Sequence, residues 1–303
     1  MKNNSIDLCF WNKCNSHCVI CTNPDDFWKE RDYGYDYIRS RFRGFKGRIK
    51  SITVTGGEPT IHPDFSKIVE LIKSEFPTVK INLLTNGRRL YYASFARKCC
   101  ELNNINIAIS LHGYNARTHD GVTSVKGSFT QSCRGIRNIL RYKREGQVLE
   151  TRVVITKLNY RFIDKILRFI STRFPRIDRL TLVFMEIEGK AEENIKKTGL
   201  TYTDFLGTLA KIEKLIPKFK EFRFYHFPLC AVEKRFWKYI WNTLPKQEVM
   251  YPGQCKKCWC RLACLGVHKG YIKTYGDKEF RAPEETQIIK TNNYNHPISH
   301  VSG

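Results

Sequence analysis

SITVTGGEPTIHPDFSKIVELI, Ser51–Ile72, decides the fold. It opens with a short β-branched run over 50–55 that reads as a strand. A glycine loop, Gly56–Pro59, follows. Pro63 and Asp64 suit a helix start. Phe65, Ile68, Val69 and Ile72 then recur at i, i+3, i+4 and i+7, which marks one apolar face of a helix. Strand, loop and amphipathic helix together make one βα unit.

The same unit repeats on either side. Strands are expected at 5–10, 50–55, 79–85, 105–111, 150–156 and 179–184. Ile163, Ile166, Leu167 and Ile170 repeat the helical spacing. Six β-then-α units in series predict a parallel sheet with right-handed crossovers, open or curled into a partial barrel. Ligands of such sheets gather at the C-terminal strand ends. There the chain places CNSHCVIC after the first strand and GGEP after the second. TNG (Thr85–Gly87) follows the third, and SLHG (Ser110–Gly113) closes the fourth. Beyond residue 218 the pattern changes. Residues 222–226 read as one more strand and 231–243 as a helix rich in aromatics. We expect domains at 1–218 and 219–283, and a polar tail over 284–303.

Composition narrows the classes. The 303 residues hold 52 Lys and Arg against 29 Asp and Glu, a net charge of +23. An apolar fraction of 42% with 13% aromatics excludes a disordered chain. No run of about 18 apolar residues exists, so no transmembrane helix is expected. The N-terminus has no signal-peptide pattern, which makes the cytoplasm the expected location. There, clustered cysteines bind metal or do chemistry more often than they form disulfides. The charge points to an anionic partner: an acidic peptide, a nucleic acid or a membrane surface.

The 12 cysteines form two groups. Cys14, Cys18 and Cys21 have C-x3-C-x2-C spacing. Cys255, Cys258 and Cys264 have C-x2-C-x5-C spacing, with Cys260 between them and Cys230 upstream. Cys9, Cys99, Cys100 and Cys133 read as buried core thiols. His17 and His112 read as local hydrogen-bonding residues. The aromatics around Trp237 and Trp241 read as core packing rather than a base-stacking platform. RSRFRGFKGRIK (Arg39–Lys50) is either a solvated face or an anion-binding surface.

The cysteine triplet followed by TGGEP, each after an expected strand, resembles the radical S-adenosylmethionine (SAM) superfamily over roughly residues 5–185. The resemblance implies a partial (β/α)6 TIM-like barrel with a small C-terminal domain. It implies a [4Fe-4S] cluster on Cys14, Cys18 and Cys21, thiolate being the soft ligand such clusters need. The open fourth iron would take the amino and carboxylate groups of SAM. Gly56 and Gly57 would let the backbone approach that amino acid closely, Glu58 would accept from its cationic amine, and Pro59 would belong to the same cofactor-binding turn; Ser110 would contact the ribose, and Asn86 and Arg152 would make further polar contacts. Reductive cleavage would release a 5′-deoxyadenosyl radical that abstracts hydrogen from a substrate. The residue before the third cysteine is often aromatic in this family, and here it is Ile20.

The second group resembles the SPASM or twitch auxiliary-cluster region of peptide maturases. Cys230, Cys255, Cys258 and Cys264 would hold a second [4Fe-4S] cluster. A structural zinc is the rival for each group. The implied substrate is an acidic ribosomally made peptide or protein, with RNA or a small molecule as alternatives and a non-enzymatic iron–sulfur or zinc nucleic-acid-binding protein ranked last. A flavodoxin- or ferredoxin-like electron donor is expected. A leader peptide, if any, would bind the barrel surface or a partner protein, since no recognition domain precedes the first strand.

Overall fold

The computed structural model describes residues 5–23, 34–42, 49–102 and 104–283. Part of the Arg39–Lys50 stretch and all of the 284–303 tail lie outside them. The first half of the chain runs β1 (Ser5–Trp11), α1 (Tyr35–Phe42), β2 (Ser51–Gly56), α2 (Phe65–Glu75), β3 (Lys80–Thr85), α3 (Ala93–Glu101), β4 (Ile105–Ser110), α4 (Ala116–Thr123) and α5 (Ser128–Tyr142). It continues with β5 (Leu149–Ile155), α6 (Ile163–Arg173), β6 (Arg179–Phe184), the short helices α7 (Gly189–Glu193) and α8 (Ile195–Thr198), α9 (Tyr202–Glu213) and β7 (Glu221–Tyr225). β8 (Ile240–Trp241), β9 (Val249–Met250), β10 (Val267–His268) and α10 (Lys269–Tyr275) complete it.

β1 to β8 pair in sequence order, each parallel to the next, in one curled half-barrel. The six expected strands are its first six. β7 takes the seventh place, and β8 pairs with β7 through Phe224–Ile240 and Tyr225–Trp241. The helix expected over 231–243 is instead a 3-10 turn, Lys234–Tyr239, running into β8. Trp237 accounts for much of the difference. Its indole N–H is tied to the carbonyls of Leu229 and Val232, 2.9 and 3.2 Å away, which folds this segment back on itself. β9 and β10 form a separate antiparallel pair.

Strand alternation sorts the side chains. Ile52 and Val54 of β2 are fully buried and belong to the same core cluster as Ile68 and Ile72 of α2. The alternate positions face inward and are largely polar: Asp7, Thr53, Asn82, Asn106, Glu150 and Arg179 line a lumen of about 1700 Å³. An ordinary closed barrel fills this space with layers of apolar side chains. Charge pairing keeps the groups here in place. Glu150 accepts from Arg152 at 2.5 Å and from Arg179 at 3.1 Å, and Arg179 reaches Glu221 at 2.8 Å. Burial would raise the Glu150 carboxyl, but the two guanidiniums outweigh it and hold it at about 2. No helix among the described residues is long and apolar enough to cross a membrane.

Candidate active site

The loop after β1 is fixed by backbone contacts on two sides. On one side the Glu58 N–H donates to the Lys13 carbonyl at 2.8 Å. This approach requires Gly57, since an added Cβ would lie 2.6 Å from the Lys13 carbonyl carbon and 2.8 Å from the Asn12 oxygen. On the other side His17 and Val19 donate to the Thr123 and Val122 carbonyls at the end of α4, each at 3.0 Å. The loop is thus clamped between the GGEP turn and α4, and Cys14, Cys18 and Cys21 line one cavity of about 820 Å³.

The three thiols feel one another. Burial first, then the Glu58 carboxylate, pushes Cys14 up to about 11. Burial, then Cys14 and Cys21, pushes Cys18 up to about 12. Thiolates here are unstable unless positive charge joins them, and an iron–sulfur core supplies that charge. Donors are already aimed at the sulfur. Ser16 N–H lies 3.3 Å from Cys14 Sγ and Asn86 Nδ2 lies 3.8 Å from it. Three soft thiols that line one cavity and repel one another's charge are the donor set a cluster needs, so the residues present fit it.

Gly56, Gly57, Glu58, Asn86, Ser110 and Arg152 all line this cavity. Ser110 and Arg152 sit side by side in the β4–β5 register. Pro59 lies behind the wall, buried at the start of a 3-10 turn that Glu58 caps. Glu58 is itself buried. Its Oε1 accepts from the Thr60 N–H and hydroxyl at 3.1 and 2.5 Å and from the Thr85 hydroxyl at 2.6 Å. Among the described residues its Oε2 accepts from Asn86 N–H alone, at 2.7 Å, and a carboxylate oxygen can take one more donor. Glu58 thus locks the ends of β2 and β3 together while presenting one oxygen to the cavity. Arg152 is committed to Glu150 and lies over the Tyr225 ring.

The second cysteine group is also brought together. Cys230, Cys255, Cys258, Cys260 and Cys264 line a small cavity at the C-terminal end of the chain. Burial, then Cys264, Cys255 and Cys258, pushes Cys230 up to about 12. Leu229 and Gly266 N–H groups point at Cys264 Sγ, at 3.4 and 3.5 Å. Cys260 is fully buried, and burial, then Cys258 and Cys264, raises its thiol. Cys99, Cys100 and Cys133 are buried in the core, and Cys9 is half-buried. His112 accepts from Val154 N–H and is held neutral by burial, at about 3.

Several cavity residues escaped the sequence reading. Arg88 donates to Gln131 at 2.6 Å and lies near enough to favour the Cys18 thiolate. His119 accepts from the His112 backbone N–H through Nδ1, and its buried Nε2 has no partner among the described residues. Glu186 is the second residue after β6, and His226 is the first after β7. Position just past a strand end was the available signal for both.

The fold and site define a radical SAM protein, and the comparisons agree. The Radical SAM superfamily profile matches residues 8–170, more than half of the chain, which therefore belongs to that superfamily. Its cofactors are a [4Fe-4S] cluster and SAM. The antilisterial bacteriocin subtilosin biosynthesis protein AlbA of Bacillus subtilis is 27% identical over 136 residues, 41% of this chain and 28% of that protein. A GTP 3′,8-cyclase of Actinobacillus succinogenes is 29% identical over 167 residues, 53% of this chain and 48% of the cyclase. Streptococcus suis SuiB, solved with its precursor peptide SuiA, superposes with a TM-score of 0.57 at 17% identity, over 73% of this chain and 48% of SuiB. The chain thus spans half or less of the length of these relatives.

Proposed function

We propose that this protein modifies a peptide by hydrogen abstraction. The observation that carries the reading is the union of two spaces. Thr55, Arg152, Glu186 and His226 line both the cysteine-bearing cavity and the lumen. A substrate in the lumen therefore reaches the cavity wall directly, and the lumen exceeds what a drug-sized ligand fills. The cluster and SAM, when bound, supply a 5′-deoxyadenosyl radical.

The chain's own residues do the rest. Cys14, Cys18 and Cys21 hold the cluster. Glu58 Oε2 receives a cationic amine, and the shape of the GGEP turn is set by Gly57 and Pro59. Ser110, Asn86 and Arg152 orient polar groups around the cavity, and the apolar shell under the helices excludes water. Cys230, Cys255, Cys258 and Cys264 hold a second cluster that relays electrons. The net charge of +23 suits an acidic peptide and an acidic flavodoxin- or ferredoxin-like donor. The thiol-rich site suits the reducing cytoplasm.

AlbA and SuiB support the peptide reading, and the cyclase relative favours a nucleotide as the second one. Incubation of the reduced holoprotein and SAM with acidic peptides or with GTP separates them. Mass changes in peptide are expected. Conversion of GTP alone would overturn the peptide reading.

A further inference from the structure

His226 is held in an unusual way. It follows β7 and adopts φ +67°, a region that residues with side chains seldom enter. The Tyr202 hydroxyl donates to its carbonyl at 2.7 Å, pinning the backbone. Its Nδ1 lies 3.2 Å from the Phe184 carbonyl oxygen and 3.3 Å from Glu186 Oε1. A carbonyl only accepts, so the proton sits on Nδ1 and the lone pair on Nε2. Among the described residues Nε2 has no hydrogen-bond partner, and the side chain keeps 12% of its surface exposed. The ring lines both the cysteine-bearing cavity and the lumen. One imidazole nitrogen anchored by a carbonyl and a carboxylate, on a ring that lines a substrate space, is how a general base is oriented.

The surroundings keep the ring neutral. Arg152 of β5 and His268 of β10 face it, with Glu186 from the end of β6. Burial, followed by His268 and Arg152 and opposed by the Phe184 bond, pushes it down to about 3. Once Nε2 is protonated, Glu186 is the counter-charge.

We infer that His226 is a catalytic residue whose Nε2 accepts a proton from the peptide's reacting group, with Glu186 as its positioning residue. The inference rests on the peptide reading above. In this step the bond between the reacting atom and its hydrogen breaks, its electron pair stays on the peptide, and an Nε2–H bond forms. No electron leaves the pair of reactants.

The test uses the reduced holoenzyme, SAM and a panel of synthetic acidic peptides. Modified peptide is measured by mass spectrometry and 5′-deoxyadenosine by chromatography. Glycine accepts a positive φ, so His226→Gly removes the base without straining the backbone. We expect modified peptide per 5′-deoxyadenosine to fall at least tenfold. Imidazole in the buffer should restore it, in proportion to imidazole's neutral fraction as pH rises. Glu186→Gln should lower kcat and leave KM near the wild-type value. Wild-type yield from His226→Gly overturns the inference. So does a loss that imidazole fails to relieve while His226→Asn, which also tolerates the positive φ, retains full yield. A wild-type enzyme that changes no peptide counts against the peptide reading and this inference together, whereas these variant results, obtained with an active wild type, strike the inference alone.

Discussion

Gly57→Ala isolates the contact on which the cysteine loop depends. The new methyl would meet Lys13 and Asn12 backbone atoms, which cannot rotate away as a side chain would. Overpacking of this kind costs about 1–3 kcal/mol. Separation of the two loops would also break the Glu58 N–H bond to Lys13, worth about 1 kcal/mol. The expected loss is therefore about 3 kcal/mol, read from urea denaturation. Gly207 in α9 is the control. Nothing lies within 4 Å of its added Cβ, so Gly207→Ala should gain about 0.5–1 kcal/mol from helix propensity alone. Iron content after anaerobic reconstitution gives the second reading. Gly57→Ala should hold about four irons where the wild type holds about eight, because displacement of the loop spoils only the first site. A Gly57→Ala protein of wild-type stability and full iron content would refute the reasoning.

The remaining predictions probe other parts of the molecule. Glu150 has its carboxyl lowered from 4.5 to about 2 in the folded chain, so its stabilisation is full above pH 4.5 and fades as pH falls towards 2. The stability difference between wild type and Glu150→Gln should shrink by about 3 kcal/mol over that window, and a constant difference would exclude the ion-pair account. Cys230→Ala should lower reconstituted iron from about eight to about four and leave SAM binding intact, whereas zinc at the second site predicts about four irons in both proteins. Affinity for an acidic peptide should drop steeply between low and physiological salt, measured by fluorescence anisotropy; a flat response would remove charge as the basis of recognition.

Much of the fold was legible because each βα unit carries its own periodicity. Ile52 and Val54 announce a strand, and Phe65 to Ile72 a helix, without reference to distant residues. The cysteine triplet and GGEP were legible because the chemistry fixes residue type and spacing. Other features depend on contacts remote in sequence. Gly57 suggests close approach to a ligand, yet its nearest constraint is the Lys13 carbonyl. Glu58 suggests a simple acceptor, yet Thr60, Thr85 and Asn86 occupy most of its capacity. The aromatic run ending at Trp241 mimics a helix, and two indole hydrogen bonds decide otherwise. The polar lumen is written in strand positions such as Thr53, Asn82 and Asn106, but that these line one shared space follows only from how the sheet curls.

The central claim is that Cys14, Cys18 and Cys21 hold the cluster that cleaves SAM. Anaerobically reconstituted, dithionite-reduced protein incubated with SAM tests it most directly, with 5′-deoxyadenosine as the readout. The wild type should release 5′-deoxyadenosine and Cys14→Ala should release none. Release from Cys14→Ala at the wild-type rate, or none from an iron-loaded wild type, would contradict the account.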